Sequence, residues 1–297
     1  MTIRCSNCGQ ESTRCFAAKD WNRRISEETF VYYICPQCKL VFLHPVPEDL
    51  DRYYPTNYYA IPESVEQLAL ASGADRYKLG ILGAFRRDGR LLEIGAAYGS
   101  FAYLAKKAGY EVETLEMDAR CCEFLESVVG VHVIHDHNIA AGIASRPSYD
   151  VIALWHVIEH LRDPWGALQA ISEKVRPDGI LAIAAPNPEA LQFRMLGRHW
   201  AHVDAPRHVV LIPHRILEER MARLGMETVL CTTTDEGTLG WNTFGWQVSL
   251  SNIASQKTLK WFLSAGGYVI GKIMAPLERR DRLGSAYTIV FRKKSSS

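Results

Sequence analysis

The sequence has almost no net charge, since 34 lysines and arginines against 33 aspartates and glutamates leave a formal +1. That balance argues against a broad basic face, so a nucleic-acid partner is not expected. Long apolar runs are missing too: none reaches the roughly 18 residues of a spanning helix. The opening Met1-Thr2-Ile3-Arg4-Cys5 lacks the apolar core of a secretion signal, and a cytoplasmic location is the expectation. What remains is the composition of an ordinary globular chain, with 297 residues, 47% apolar and 23% charged. That length holds one large domain, or a medium one with a small companion, and buries a full core without staples.

Cysteine is in surplus. Of eight, five lie in the first forty residues, and four of those form two Cys-x-x-Cys units, Cys5 with Cys8 and Cys35 with Cys38. In a reducing compartment such pairing points to metal rather than disulfides. Two units close a tetrahedral four-thiolate site, which suits a structural Zn²⁺ and leaves no open catalytic position. Residues 1–48 therefore read as a zinc ribbon, with strands at 29–34 and 40–43; Cys15 fits neither pair. A thioredoxin-like redox role needs its Cys-x-x-Cys at a strand–helix junction in a βαβ unit, and none stands here. Residues 49–88 read as a linker with helices, entered through Pro45-Val46-Pro47 and rich in tyrosine from Tyr53 to Tyr59. Those rings could stack bases, but packing the linker onto the next domain is the commoner use.

Beyond residue 89 short apolar strands alternate with helices: strands at 90–94, 111–116, 131–134, 149–154 and 179–184, helices at 100–107, 119–128 and 167–175. Crossover helices between strands make a parallel, doubly wound sheet, whose ligands sit beyond the carboxyl ends of the strands. The turn after the first strand, Glu93-x-Gly95-x-Ala97-x-Gly99, lets backbone approach a ligand and then opens a helix. It is not Gly-x-Gly-x-x-Gly, and a carboxylate just before the turn suits a cationic amino-acid ligand better than a pyrophosphate. Glu116 closes the second strand, where a carboxylate can take both hydroxyls of a ribose. The two acids and the turn point to S-adenosylmethionine rather than NAD.

Leu92-Glu93-Ile94-Gly95 through Gly99, Leu115-Glu116-Met117-Asp118, the segment Trp155 to Pro164 and the turn Lys174 to Gly179 follow in that order. Together, over about Leu91 to Met226, they resemble a class I S-adenosylmethionine-dependent methyltransferase of the branch similar to ubiquinone-biosynthesis O-methyltransferases. The resemblance implies a Rossmann-like α/β fold over 89–297, with a seven-stranded sheet whose last strand is antiparallel. It implies cofactor contacts at Glu93, Gly95, Ala97, Gly99 and Glu116, with Met117 beside the adenine, Asp136 at its amino group and Trp155 close by. Ala97 and Asp178 depart from the family's glycines.

His156-x-x-Glu159-His160 also spells an inverted zinc-protease motif. That reading is disfavoured, because the motif follows directly on a strand and no third ligand is identifiable. At the end of the fourth strand these groups face the place of a methyl acceptor, where a neutral imidazole can take a proton from an acceptor hydroxyl. His160 is the first choice of base and His208 the second, with His156 and Glu159 completing the catalytic set. The bland alternative is that the histidines only hold loop geometry. Related methyltransferases carry Glu-x-x-Glu-His here and bind a divalent metal, so Mg²⁺ is a further expectation, with His156 in place of the first Glu. The insert at about 187–212 resembles a segment of zinc-ribbon methyltransferases from cell-surface glycan and secondary-metabolite pathways. In it Trp200 and Arg207 are expected to meet substrate, Arg207 by gripping an acidic group such as phosphate.

Strands are expected at 226–233 and 286–292, and a solvated tail after Lys293. The second insert, about 237–284, reads as a helical lid packed with the first over the acceptor; an interfacial anchor for a lipid-linked acceptor is the alternative. Histidines in place of an Asn-Pro-Pro-Tyr motif favour a hydroxyl on a small molecule, a sugar, glycan or metabolite precursor. Three other readings stand beside it: an RNA methyltransferase with a zinc-ribbon reader, a C-methyltransferase on a nucleotide sugar, and a non-catalytic module that binds the cofactor. The sequence leaves the oligomeric state open.

Overall fold

Apolar runs condense into two sheets in the computed structural model, which describes residues 2–55, 57–280 and 282–295. Thr56 of the tyrosine-rich linker, and Ser296 and Ser297 of the tail, lie outside the described residues. The first sheet begins with β1 (Thr13–Ala18), β2 (Phe30–Ile34) and β3 (Val41–Leu43), all antiparallel. Helices α1 (Val65–Ala71) and α2 (Arg76–Gly83) follow. Then come β4 (Arg90–Ile94), α3 (Ser100–Lys107), β5 (Glu111–Glu116), α4 (Ala119–Phe124), β6 (His132–His135), α5 (Ile139–Ala144), β7 (Tyr149–Trp155), α6 (Pro164–Lys174) and β8 (Val175–Pro186). After α7 (Leu191–Leu196) the chain adds β9 (Val210–Leu211), α8 (His214–Arg223), β10 (Met226–Thr232), α9 (Glu236–Ser251), α10 (Lys257–Glu278) and β11 (Ala286–Lys293).

The second sheet has seven strands in the order β10-β11-β8-β7-β4-β5-β6. β4 to β8 run parallel, and β11 is antiparallel to both neighbours. This is the Rossmann-like α/β sheet the alternation predicts. Side chains of period two separate its faces: Leu92, Ile94, Ile152, Leu154 and Ile183 enter one core, while Leu91, Val151, Ala153 and Ile180 enter the other with Phe101 and Val290. All seven residues of β7 are buried, as befits a central parallel strand covered on both faces.

The ribbon sheet takes its fourth strand from far along the chain: β9 pairs with β3, Val41 opposite Leu211 and Phe42 opposite Val210. Cys5, Tyr32, Cys35 and Leu40 share one continuous core with Leu211, Trp200 and the sheet. α9 and α10 pack face to face, and a Cβ on Gly267 would fall 2.6 Å from the Trp246 carbonyl oxygen, so only glycine admits that approach. α9 in turn meets the 187–212 segment, where the Ala201 N–H donates to Ser249 Oγ (2.8 Å). Among the described residues no helix is long and apolar enough to cross a membrane.

Candidate functional site

The carboxyl ends of β4, β5, β6 and β7 lie along one edge of the parallel sheet. Gly95 and Gly99 follow β4 in the left-handed region, and a Cβ on either would come within 2.5 Å of Val157 or Leu125, so both positions require glycine. Ala97 (φ +49°) and His156 (φ +58°) hold the same conformation without being glycine, a strain that clusters at functional loops. Glu116 ties the turns together: its carboxylate accepts from the N–H of Ala97 (2.8 Å), Met117 (2.8 Å) and Asp118 (2.9 Å). Asp136 joins them through its own N–H to the Glu116 carbonyl (3.2 Å), and its carboxylate turns back on the Asn138 N–H. Met117 stands half open to solvent beside it. Glu93 is buried with Oε2 unpartnered; burial pushes its pKa up to about 8, against the pull of Lys78. Trp155 is buried against Phe101 and Tyr77 with its indole N–H unpartnered.

At the end of β7 the histidines converge. His156 Nδ1 is 3.5 Å from Glu159 Oε1, and its ring lies 4.7 Å from that of Trp241 on α9. Both Glu159 oxygens are buried without a hydrogen-bond partner. Burial opposes the Glu159 charge, but His156, His208 and His160 outweigh it and draw its pKa down to about 2. The rings of His160 and His208 stand 4.6 Å apart, nearly perpendicular. Each has Nδ1 beside a backbone carbonyl: His160 at 3.1 Å from Arg207 O, His208 at 2.8 Å from His202 O. A carbonyl only accepts, so Nδ1 carries a proton in both rings. Tyr54 Oη sits 2.9 Å from the same His160 Nδ1. Burial, then the charge of His208, pushes the His160 pKa down to about 4, which leaves it neutral at pH 7.

Sequence reasoning passed over three groups here. His202 is buried, with its ring 4.9 Å from Trp200 and 5.3 Å from Trp241 and Nε2 unpartnered. Its place in a His-rich insert was the available signal. Trp241 comes from α9 and Tyr54 from the stretch before α1, and only the run of tyrosines there hinted at either. The linker tyrosines pack onto this edge, Tyr54 against Tyr58 and Tyr58 against Tyr59, with Arg23 above Tyr58.

Two expected substrate contacts are turned inward instead. Arg207 is wholly buried and all five guanidinium donors are spent: Nε on Asp204 (2.9 Å), Nη1 on Asp20 (3.3 Å) and the Tyr53 carbonyl (3.2 Å), Nη2 on Asp20 (2.6 Å) and Asp204 (2.8 Å). No donor is left for a substrate phosphate. Trp200 is buried, and its N–H donates to Gln192 Oε1 (3.1 Å). The Asp20 contact belongs to a wider grip of the ribbon on the insert: Tyr32 Oη donates to the His208 carbonyl (2.8 Å) and the Leu43 N–H to the Val209 carbonyl (2.8 Å).

Among the described residues three donor groups could hold a metal, one of them His214, Glu218 and Cys231, and the other two bear on the expected metals. Cys5, Cys8, Cys35 and Cys38 lie together, with sulfurs 3.5 Å apart (Cys5–Cys38, Cys8–Cys35) and 3.8 Å (Cys8–Cys38). Tetrahedral bonds of about 2.3 Å put sulfurs about 3.8 Å apart, so the set fits zinc. Burial raises the Cys35 pKa, but the N–H groups of Cys38 and Gln37 and the Cys8 thiol outweigh it, drawing it down to about 7. Trp165 and Arg220 clasp this knuckle: the indole donates to Ser6 Oγ (3.1 Å), and Arg220 donates to Asn7 (2.6 Å) while covering the Trp165 ring (4.0 Å). The second set, Glu159, His160 and His208, offers two imidazoles and one carboxylate. Mg²⁺ prefers an all-oxygen shell with several waters, so this set does not fit the expected Mg²⁺ and no step is derived through it.

The methyltransferase domain family matches residues 67–230, more than half of the chain. The chain is similar to the ubiquinone biosynthesis O-methyltransferase of Pectobacterium carotovorum, 28% identical over 125 residues that make up 40% of this chain and 52% of that protein. The namesake from Pectobacterium atrosepticum is 28% identical over 111 residues, 36% of this chain and 46% of that one. The chain thus spans about half the length of the curated relatives it matches. Among solved structures, a SAM-dependent methyltransferase from Archaeoglobus fulgidus shares the fold at TM-score 0.52 and 19% identity, covering 76% of this chain and 94% of that one. The 4+2 cyclase SpnF does so at TM-score 0.50 and 13% identity, over 77% and 83%. At these identities the likeness speaks for the fold alone.

Proposed function

The chain belongs to the methyltransferase domain family, and from that premise we propose that it transfers a methyl group from S-adenosylmethionine to a hydroxyl of a small-molecule acceptor, a sugar, glycan or metabolite precursor. The observation that carries this reading is the imidazole of His160, neutral at pH 7 with its Nδ1 proton on the Arg207 carbonyl, set beside the buried Glu159 and 4.6 Å from the His208 ring. S-adenosylmethionine, when bound, supplies an electrophilic methyl carbon on a sulfonium.

Glu116 is the residue for the ribose. Three backbone N–H groups leave at least one of the roughly four acceptor directions of its carboxylate, and there it would take the ribose hydroxyls. Asp136 and Met117 would hold the adenine, and Glu93 beneath the turn is a buried carboxyl that a bound cation would ionise. At the acceptor end His160 Nε2 would take the proton of the acceptor hydroxyl. Glu159 balances the imidazolium that forms, and Tyr54 with the Arg207 carbonyl holds the ring in register. His208 stands as the alternate base, and His156 orients Glu159. The Cys5, Cys8, Cys35 and Cys38 site holds zinc for structure only.

Calorimetry with S-adenosylhomocysteine tests the cofactor half. Binding is expected, and Glu116→Gln should weaken it at least tenfold; no binding by the parent protein would overturn the reading. Turnover of labelled cofactor on an acceptor separates an enzyme from a module that only binds.

A further inference from the structure

Helix α10 has one face that the fold uses and one that it does not. On the inner side Gly267 and Gly271 close on α9, and the buried Glu278 accepts from Gln192 Nε2 (2.7 Å) and Trp246 Nε1 (3.0 Å). The outer side carries Leu259, Trp261, Phe262, Val269, Ile273 and Leu277, with Trp261, Phe262 and Ile273 each more than 60% exposed. A single exposed leucine needs no explanation. A stripe of large apolar side chains about 27 Å long, at about 1.5 Å per residue, does.

Charge says what it meets. Although the whole chain is nearly neutral, residues 257–280 contain Lys257, Lys260, Lys272, Arg279 and Arg280, and their sole carboxylate, Glu278, is buried. We propose that α10 lies on an anionic lipid surface, its apolar stripe sunk to the boundary of headgroups and acyl chains. The lysines and arginines lie level with the lipid phosphates, and Trp261 and Tyr268 sit at the interface, where amphipathic rings settle. The helix is not apolar enough to span, which is the composition of an interfacial element. A second copy of the chain fits less well, because a two-fold contact would set these cations against each other with no exposed acid on the helix to meet them. α9 lies between this face and the histidines, with Trp241 touching His156. The proposal stands apart from the methyl-transfer reading, since it concerns binding without cofactor or acceptor.

Sedimentation of the full chain with vesicles tests it. Association is expected with phosphatidylcholine vesicles that contain phosphatidylglycerol, absent with phosphatidylcholine alone, and weakened by salt. Phe262→Gln with Ile273→Gln should abolish it. Lys257→Gln and Lys260→Gln, at exposed or half-exposed positions remote from the core, should each weaken it about fivefold. Unchanged thermal midpoints confirm that the variants fold. Equal binding to neutral vesicles, binding that survives both sets of variants, or no binding by a dimer that the apolar variants dissociate would each overturn the proposal.

Discussion

Replacing Arg207 by Met separates two roles for one residue. A substrate-gripping arginine would raise the acceptor KM and leave stability nearly alone. The structure instead spends all five of its donors on Asp20, Asp204 and the Tyr53 carbonyl, with the Arg207 and Asp20 side chains fully buried. Removing the guanidinium leaves two carboxylates out of water with no cation, which costs about 3–5 kcal/mol for a buried pair. At about 2–4 °C per kcal/mol for a chain of this size, the thermal midpoint should fall by roughly 6–20 °C. Adding Asp20→Asn to Arg207→Met should recover part of that loss, because it removes one of the stranded charges. pH supplies a second readout. Arg207 holds the Asp204 carboxyl far below its usual range despite burial, so this share of stability is present above about pH 4 and lost as pH falls through the folded value. Arg207→Met should therefore flatten the acid limb of the stability profile. A midpoint shift under about 2 °C, with a raised acceptor KM, would refute the structural role.

Other outcomes follow from the same geometry. Cys35→Ser should lose about one equivalent of zinc with a lower thermal midpoint; zinc retained at full stoichiometry would reassign the ligands. His160→Ala and His208→Ala are to be compared in turnover: loss of the base should lower kcat by about 10²–10⁴-fold with little change in S-adenosylhomocysteine affinity, and near-normal kcat in both would leave the imidazoles a shaping role. Glu93 is neutral when folded up to about pH 8 but ionises near 4.5 when unfolded, so the unliganded protein should lose stability as pH rises between those values. Thermal midpoints of Glu93→Gln at pH 5 and pH 8 should show that slope flattened, and an unchanged slope would mean the carboxyl is already ionised.

What the sequence makes legible is what repeats at short range. Strand–helix alternation predicts the parallel sheet because each strand is an apolar run bounded by turn residues, and Cys-x-x-Cys predicts a shared ion because the pair lies within one turn. Where the chain pairs with itself at long range, the signal fails. β9 is two residues long, too short for any period, and its partner lies about 170 residues earlier. Arg207 reads as a ligand-binding arginine because Asp20 and Asp204 are known as its partners only from the fold. The expected helix over 119–128 ends at Phe124 and widens into a π turn over Leu125–Val129, where Leu125 and Val129 crowd Gly99. There packing against the turn after β4 overrides helical propensity.

The same long-range contacts explain why a ribbon with no open metal position is joined to this sheet. His208 sits in a segment without regular structure, held by the groups around it. Its carbonyl accepts from Tyr32 of β2, the carbonyl of the next residue accepts from Leu43 of β3, and the Val209 N–H donates to the Glu159 carbonyl (2.9 Å). Asp20, between β1 and β2, anchors the Arg207 just before it. The carbonyl of that arginine then fixes the His160 tautomer. A loop this rich in unpaired backbone would otherwise sample many conformations, and ordering it costs roughly 1–2 kcal/mol per residue. Zinc held by the four thiolates, as proposed, would offset that cost at a distance: by fixing the turns that carry Cys5 and Cys35 it would make β2 and β3 a rigid template for two imidazoles from separate loops set against one buried carboxylate.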